Sequence, residues 1–186
     1  MALTKGGLSR RKLVHALAGL EVGMVGAVAV LGWFVLRAAL HGQAWFAIPN
    51  LLGSTFYGDL AFRAGAGKVT LAGIALHFLI SGTLGCVFGL IIGPVRNAPL
   101  VSLSAIGVAL GWYLLFFNPF WRAVNPLVMV YSPDVSMLIA HGIYGGFLAG
   151  YPAAVYSLER AAAEGRKPPG HNRVEPASSG GGGTPV

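Results

Sequence analysis

Charge is what this 186-residue chain has least of. Only 10% of its residues are charged, whereas a soluble domain carries about a quarter. That deficit excludes a surface bathed in water on all sides. Cysteine is nearly absent too. Cys86 is the only one, so an intramolecular disulfide and a cysteine-based metal or redox pair are excluded. It lies in an apolar run and reads as a small packing residue. Common catalytic signatures are also missing. The glycines sit in apolar runs rather than at a strand–helix junction, so there is no phosphate loop. There is no HExxH, no pair of carboxylates and no nucleophile beside a base. The formal charge of +7 does not point to nucleic acid, because the basic residues sit at the ends of apolar runs, where orientation and lipid headgroups explain them.

What the chain has is apolar length. Hydrophobic residues make up 55% of it, and several runs approach or exceed the roughly 18 residues needed to cross a bilayer. The pattern predicts an all-α polytopic membrane protein, a compact four-transmembrane-helix bundle with an interfacial amphipathic segment between helices 1 and 2. Residues 1–12 form a basic N-terminus. Residues 13–158 hold the bundle, and 159–186 form a charged, then Pro/Gly/Ser-rich and disordered tail.

Ser9 is an N-cap candidate for a first span over Leu13–Leu36, closed by Arg37. The segment from Ser9 to Val14 also resembles a twin-arginine export signal. The three spans that follow, and the lack of a small-x-small cleavage site after Leu36, favour a retained helix. His41–Lys68 is too polar and too broken to span. Within it, residues 46–62 read as an interfacial helix or a short re-entrant hairpin. The second span is Val69–Val95. The third, Leu100–Phe117, is expected to stop at Asn118-Pro119, followed by an aromatic, proline-broken loop. Ser132-Pro133-Asp134 signals the start of a fourth span, Val135–Leu158.

Four spans put both termini on one side. That side holds Lys5, Arg10, Arg11, Lys12, Arg96, Arg160, Arg166, Lys167 and Arg173; the other holds Arg37, Arg63, Lys68 and Arg122. Nine against four places the termini in the cytoplasm.

Helices in lipid associate where small residues let backbones approach. Every span carries such a pair: Gly19 and Gly23; Gly85, Gly89 and Gly93; Gly107 and Gly111; Gly142, Gly146 and Gly150. This glycine-zipper spacing predicts the packing faces. A fainter echo places Gly19 and Gly23 after His15, Ser81 and Gly85 after His77, and Gly145 and Ala149 after His141.

Ionisable groups inside a membrane are functional hypotheses. Here they are Glu21, His77 and His141, with Asp59 and Asp134 at the outer interface. His77 and His141 lie at matched depth, about 9–12 Å inside the outer boundary at about 1.5 Å per residue. His77 shares its helix face with Ser81. Three readings follow. Each imidazole makes an interhelical hydrogen bond, to Ser81, Thr83 or Tyr144. The two histidines ligate a b-type haem. Or they form a proton or substrate path with Ser81 and Asp59. No further ligands assemble a metal site. Glu21 is expected to pair with Arg160, Arg96 or the twin arginines. Polar residues toward the outer side, Asn50, Ser54, Asn118, Arg122 and Asn125 among them, are sparse.

The run His141-Gly142-Ile143-Tyr144-Gly145, closed by Gly150, resembles the H-x-x-Y-G-x-x-x-x-G ending of small four-helix bacterial inner-membrane proteins in domain-of-unknown-function families. The resemblance covers the last span and the overall plan, and implies a bacterial inner membrane with no assigned chemistry. The expected role is non-enzymatic: an accessory, scaffold or assembly component working against the lipid bilayer, other membrane proteins or copies of itself, with no cofactor and no nucleic acid. The alternative is a small carrier or permeation protein, or a haem protein, centred on His77 and His141.

Overall fold

The computed structural model describes residues 5–93, 95, 97–132 and 134–164. Residues 1–4 and 165–186, Pro94, Arg96 and Pro133 lie outside them, and with them the expected tail, part of the charge count and part of the Ser-Pro-Asp helix start. Every regular element described is helical. Four stretches are long and apolar enough to cross a membrane: Arg10–Leu40, Lys68–Ile92, Ala98–Val124 and Val135–Glu164.

The first, α1, spans Lys5–Leu40. Ser9 lies inside it rather than capping it. The chain turns at Gly42, whose φ of +63° suits a residue without Cβ. It then doubles back into α2, Ala47–Tyr57, and a 3₁₀ turn, Gly58–Phe62. The helix α3 spans Lys68–Ile92, and α4 spans Ala98–Gly111, capped by the Asn97 side chain accepting from the Leu100 N–H at 3.1 Å.

Helix does not stop at Asn118-Pro119. A π-helical turn, Trp112–Phe117, carries α4 into α5, Asn118–Val124. Proline has no N–H and crowds the carbonyl four residues back. The wider π turn just before Pro119 makes room for it, so the expected break becomes a distortion. The expected loop is also mostly helical. Asn125, extended as a residue before proline should be, caps α6, Pro126–Tyr131, by accepting from the Leu127 N–H. The fourth span is in turn interrupted. It divides into α7, Asp134–Leu148, and α8, Tyr151–Glu164, at Ala149-Gly150, just ahead of Pro152.

The most extensive packing is between α1 and α3. A Cβ on Gly19 would run into the Gly85 carbonyl, and one on Gly85 into the Gly19 carbonyl. A Cβ on Gly89 would meet the His15 carbonyl. Backbone lies directly on backbone here, the contact that small residues permit. The pair Gly53 and Gly73 does the same for α2 against α3, meeting the carbonyls of Val69 and Pro49.

The pattern fails in the other two spans. A Cβ on Gly107, Gly111, Gly142 or Gly146 would meet nothing within 4 Å. None of these four glycines sits at a tight helix contact. It is Gly145 that packs: a Cβ there would lie 3.0 Å from the Ile106 Cα and the Ala109 side chain. Successive helix residues point about 100° apart, so Gly142 and Gly146 flank the contact face.

Nor is the bundle closed. α1 packs on α3, α7 and α8; α4 packs on α7; but α3 and α4, consecutive in the chain, barely touch. The helices form an arc, α3–α1–α7–α4, with a cleft between its ends and α2 packed on α3 and α6 at one end of it.

Candidate functional site

The cleft is a cavity of about 460 Å³, within the roughly 300–1,000 Å³ of small-molecule sites. α3 supplies one wall and the α4–α5 stretch the other, with α7 at the back and Ile48 and Leu52 of α2 closing one end. The polar side chains of the lining cluster on α3 and α7: His77, Ser81, His141 and Tyr144. Below them toward α8 the wall is apolar, aliphatic apart from Phe88. Opposite stand Trp112, Phe116, Phe117, Phe120 and Trp121.

The backbone fixes each polar group. His77 Nε2 lies 2.9 Å from the Ala27 carbonyl of α1. A carbonyl only accepts, so Nε2 carries the proton and donates. This is an interhelical bond, but to the backbone rather than to Ser81, Thr83 or Tyr144. His141 Nδ1 lies 2.7 Å from the Met137 carbonyl of its own helix, so Nδ1–H donates and a neutral ring leaves Nε2 as an acceptor. The His141 ring stands edge-on to Phe117, centroids 5.6 Å apart, and 5.0 Å from the Tyr113 ring. The Tyr144 hydroxyl donates to the Ser81 carbonyl. Ser81 is only 7% exposed, and among the described residues its own hydroxyl makes no hydrogen bond.

The structure therefore brings His77, His141 and Ser81 to one cavity. It does not bring Asp59, which is exposed on the 3₁₀ turn and absent from the lining. A two-histidine haem site fits poorly, because His77 Nε2 is committed to Ala27. Only His141 offers Nε2. Among the described residues no group of three or more His, Cys, Asp or Glu could hold a metal.

Glu21 stands apart. It is exposed on the outer face of α1 and makes no ion pair with a described residue. Arg160 pairs with Glu164 at 2.9 Å instead.

Two polar clusters escaped the sequence reading as sites. At the α2 end, Asn50 Nδ2 donates to the carbonyls of Ala64 at 2.9 Å and Ala61 at 3.3 Å, while Oδ1 accepts from the Thr70 hydroxyl at 2.6 Å. Asn125 Nδ2 donates to Ser54 Oγ at 2.8 Å and Thr55 Oγ1 at 3.1 Å. The two asparagines tie α2 to the start of α3 and to α6. At the α8 end, the Tyr151 hydroxyl donates to the Gly89 carbonyl at 3.1 Å and lies 2.8 Å from His15 Nδ1. The tyrosine proton being used, His15 Nδ1–H is the donor in that second bond. The only sequence signal for the latter cluster was the His15 echo.

No protein-family model, curated protein or solved structure matches this chain.

Proposed function

We propose that this is a multi-pass membrane protein of the bacterial inner membrane, both termini cytoplasmic, that holds a lipophilic small molecule without transforming it. One observation carries the reading: the chamber between α3 and α4, open on the side where the two helices part. A ligand dissolved in the hydrocarbon would enter there without crossing water. The membrane setting is supported by α2, which buries two polar side chains and exposes a large apolar one. Its Asn50 and Ser54 are 4% exposed while Phe56 is 61% exposed, the arrangement expected where the solvent is apolar. The charge count favours cytoplasmic termini. The glycine zipper of this reading is confined to α1 and α3.

The test exploits two open glycines. Gly111 lines the chamber and Gly107 does not, and a Cβ added at either would meet nothing within 4 Å. Detergent-purified protein is extracted with solvent and bound lipophiles are quantified per chain. Gly111→Phe is expected to lose a near-stoichiometric lipophile that the native chain and Gly107→Phe retain. Identical bulk-lipid content in all three would count against a ligand chamber.

A second reading, an accessory or assembly component, is favoured by Glu21. A carboxyl group facing outward among exposed Leu17, Leu20, Met24 and Val25 is costly in lipid and asks for a partner helix. Glu21→Leu would then reduce co-purification of that partner, with the chamber unaffected.

A further inference from the structure

The chamber's chemistry narrows what it takes, given the ligand-holding function just proposed. No Lys, Arg, Asp or Glu is among its lining residues. A phosphate or carboxylate head would enter without a counter-charge, at a cost of several kcal/mol in order of magnitude. The head is therefore neutral.

Its polarity follows from the unused hydrogen-bonding capacity. His141 Nε2 is an acceptor once Nδ1–H is spent on Met137. The Tyr144 hydroxyl has given its proton to the Ser81 carbonyl, and its oxygen retains accepting capacity. Ser81 alone adds a free hydroxyl, on a residue more than nine-tenths buried. On the α3 and α7 side acceptors outnumber donors, His77 Nδ1 included, while the Trp112 and Trp121 indole N–H groups stand on the facing wall; the α3–α7 side suits a ligand that brings hydroxyl groups of its own.

Its shape follows from the walls. Trp112 and Phe116 stack, centroids 5.6 Å apart and planes 21° from parallel, and Phe117 and Phe120 extend the same aromatic wall. Such faces suit a flat ring. From His77 to Ile91, both in the lining, α3 rises about 21 Å at about 1.5 Å per residue. The apolar end of that length, where Leu84, Val87, Phe88 and Ile91 line the wall, suits a hydrocarbon tail.

We propose that the chamber binds a neutral lipid with a hydroxylated aromatic head, of the hydroquinone class. One ring hydroxyl donates to His141 Nε2, Ser81 meets the polar edge of the ring, and the tail runs along α3 toward α8.

The full chain in detergent is titrated with decyl-hydroquinone, kept reduced with ascorbate, and with its di-O-methyl ether. The ether has the same ring and tail but no donor. Tryptophan fluorescence reports binding, because Trp112 and Trp121 line the chamber. Saturable quenching is expected for the hydroquinone, with the ether at least tenfold weaker. His141→Leu and Ser81→Ala should each narrow that gap. Both ligands use the native chain, so the comparison does not depend on any variant folding. Equal affinity of hydroquinone and ether would overturn the proposal while leaving a hydrocarbon-binding chamber. Non-saturable quenching by both, unchanged in Gly111→Phe, would overturn the chamber function as well.

Discussion

Replacing Gly85 with alanine tests the α1–α3 contact near its centre, between Gly19 and Gly23. The added Cβ would sit 2.8 Å from the Gly23 Cα and 3.2 Å from the Gly19 carbonyl carbon. Both are backbone atoms, and no rotamer change relieves them. Ordinary carbon contacts lie at about 3.5–4.0 Å, so the helices must part by about 1 Å. Overpacking of this kind costs about 1–3 kcal/mol. The 2.9 Å bond from His77 to Ala27 joins the same two helices two turns away. Stretching it would forfeit about 0.6 kcal/mol, the average for such bonds in membranes. A loss of about 2–4 kcal/mol is expected from these terms. Unfolding by sodium dodecyl sulfate in mixed micelles measures it, with Gly142→Ala as the control that has open space. Equal stability of Gly85→Ala and Gly142→Ala would refute the claim that α1 and α3 meet backbone to backbone.

Other substitutions separate structural from ligand-facing groups. His77→Ala should cost about 0.6–1.7 kcal/mol of micelle stability through the lost interhelical bond. His141→Phe, which loses a hydrogen bond only within its own helix and keeps a ring against Tyr113 and Phe117, should cost less; a larger loss for His141→Phe would reverse the two roles. Asn50→Ala removes the partner of the Ala61 and Ala64 carbonyls and of Thr70, and should destabilise by about 1–3 kcal/mol. Protease sensitivity should rise in 58–67, and an unchanged cleavage rate there would argue against the asparagine as a tie. Tyr151→Phe should cost about 1 kcal/mol and weaken protection of the Gly150 region in hydrogen exchange. Protein made in haem-replete cells should show no Soret band that vanishes in both histidine variants; such a band would restore two-histidine ligation.

How much was legible can be traced residue by residue. Val69–Val95 marks α3 to within a few residues, because apolar length is a local property. The ladder Gly85–Gly89 marks a real contact, and so does Gly19–Gly23. The same spacing at Gly107–Gly111 and Gly142–Gly146 does not, because spacing within one helix does not say which neighbour it faces. Pro119 reads as a stop because proline usually is one, and nothing in the local pattern announces a π turn. Gly150 and Pro152, by contrast, were a usable signal for the break between α7 and α8. Asn50 and Asn125 look like stray polar residues until the fold brings Ala64, Thr70 and Ser54 to them. The chamber was illegible for a different reason. It exists because α3 and α4 fail to pack, and a missing contact between two apolar helices leaves no mark in either sequence.

The parting of α3 and α4 is therefore the point to measure. Disulfides need Cα atoms within about 7 Å. In a Cys86→Ser background, cysteines replace Leu84 and Val108, which line the cleft on opposite walls at similar depth from the turn joining α3 and α4. A second pair replaces Ala109 and Gly145, which are in contact. Under copper-phenanthroline oxidation in membranes, the Ala109/Gly145 pair should cross-link and the Leu84/Val108 pair should not. Equal cross-linking of both pairs would mean a closed bundle with no chamber.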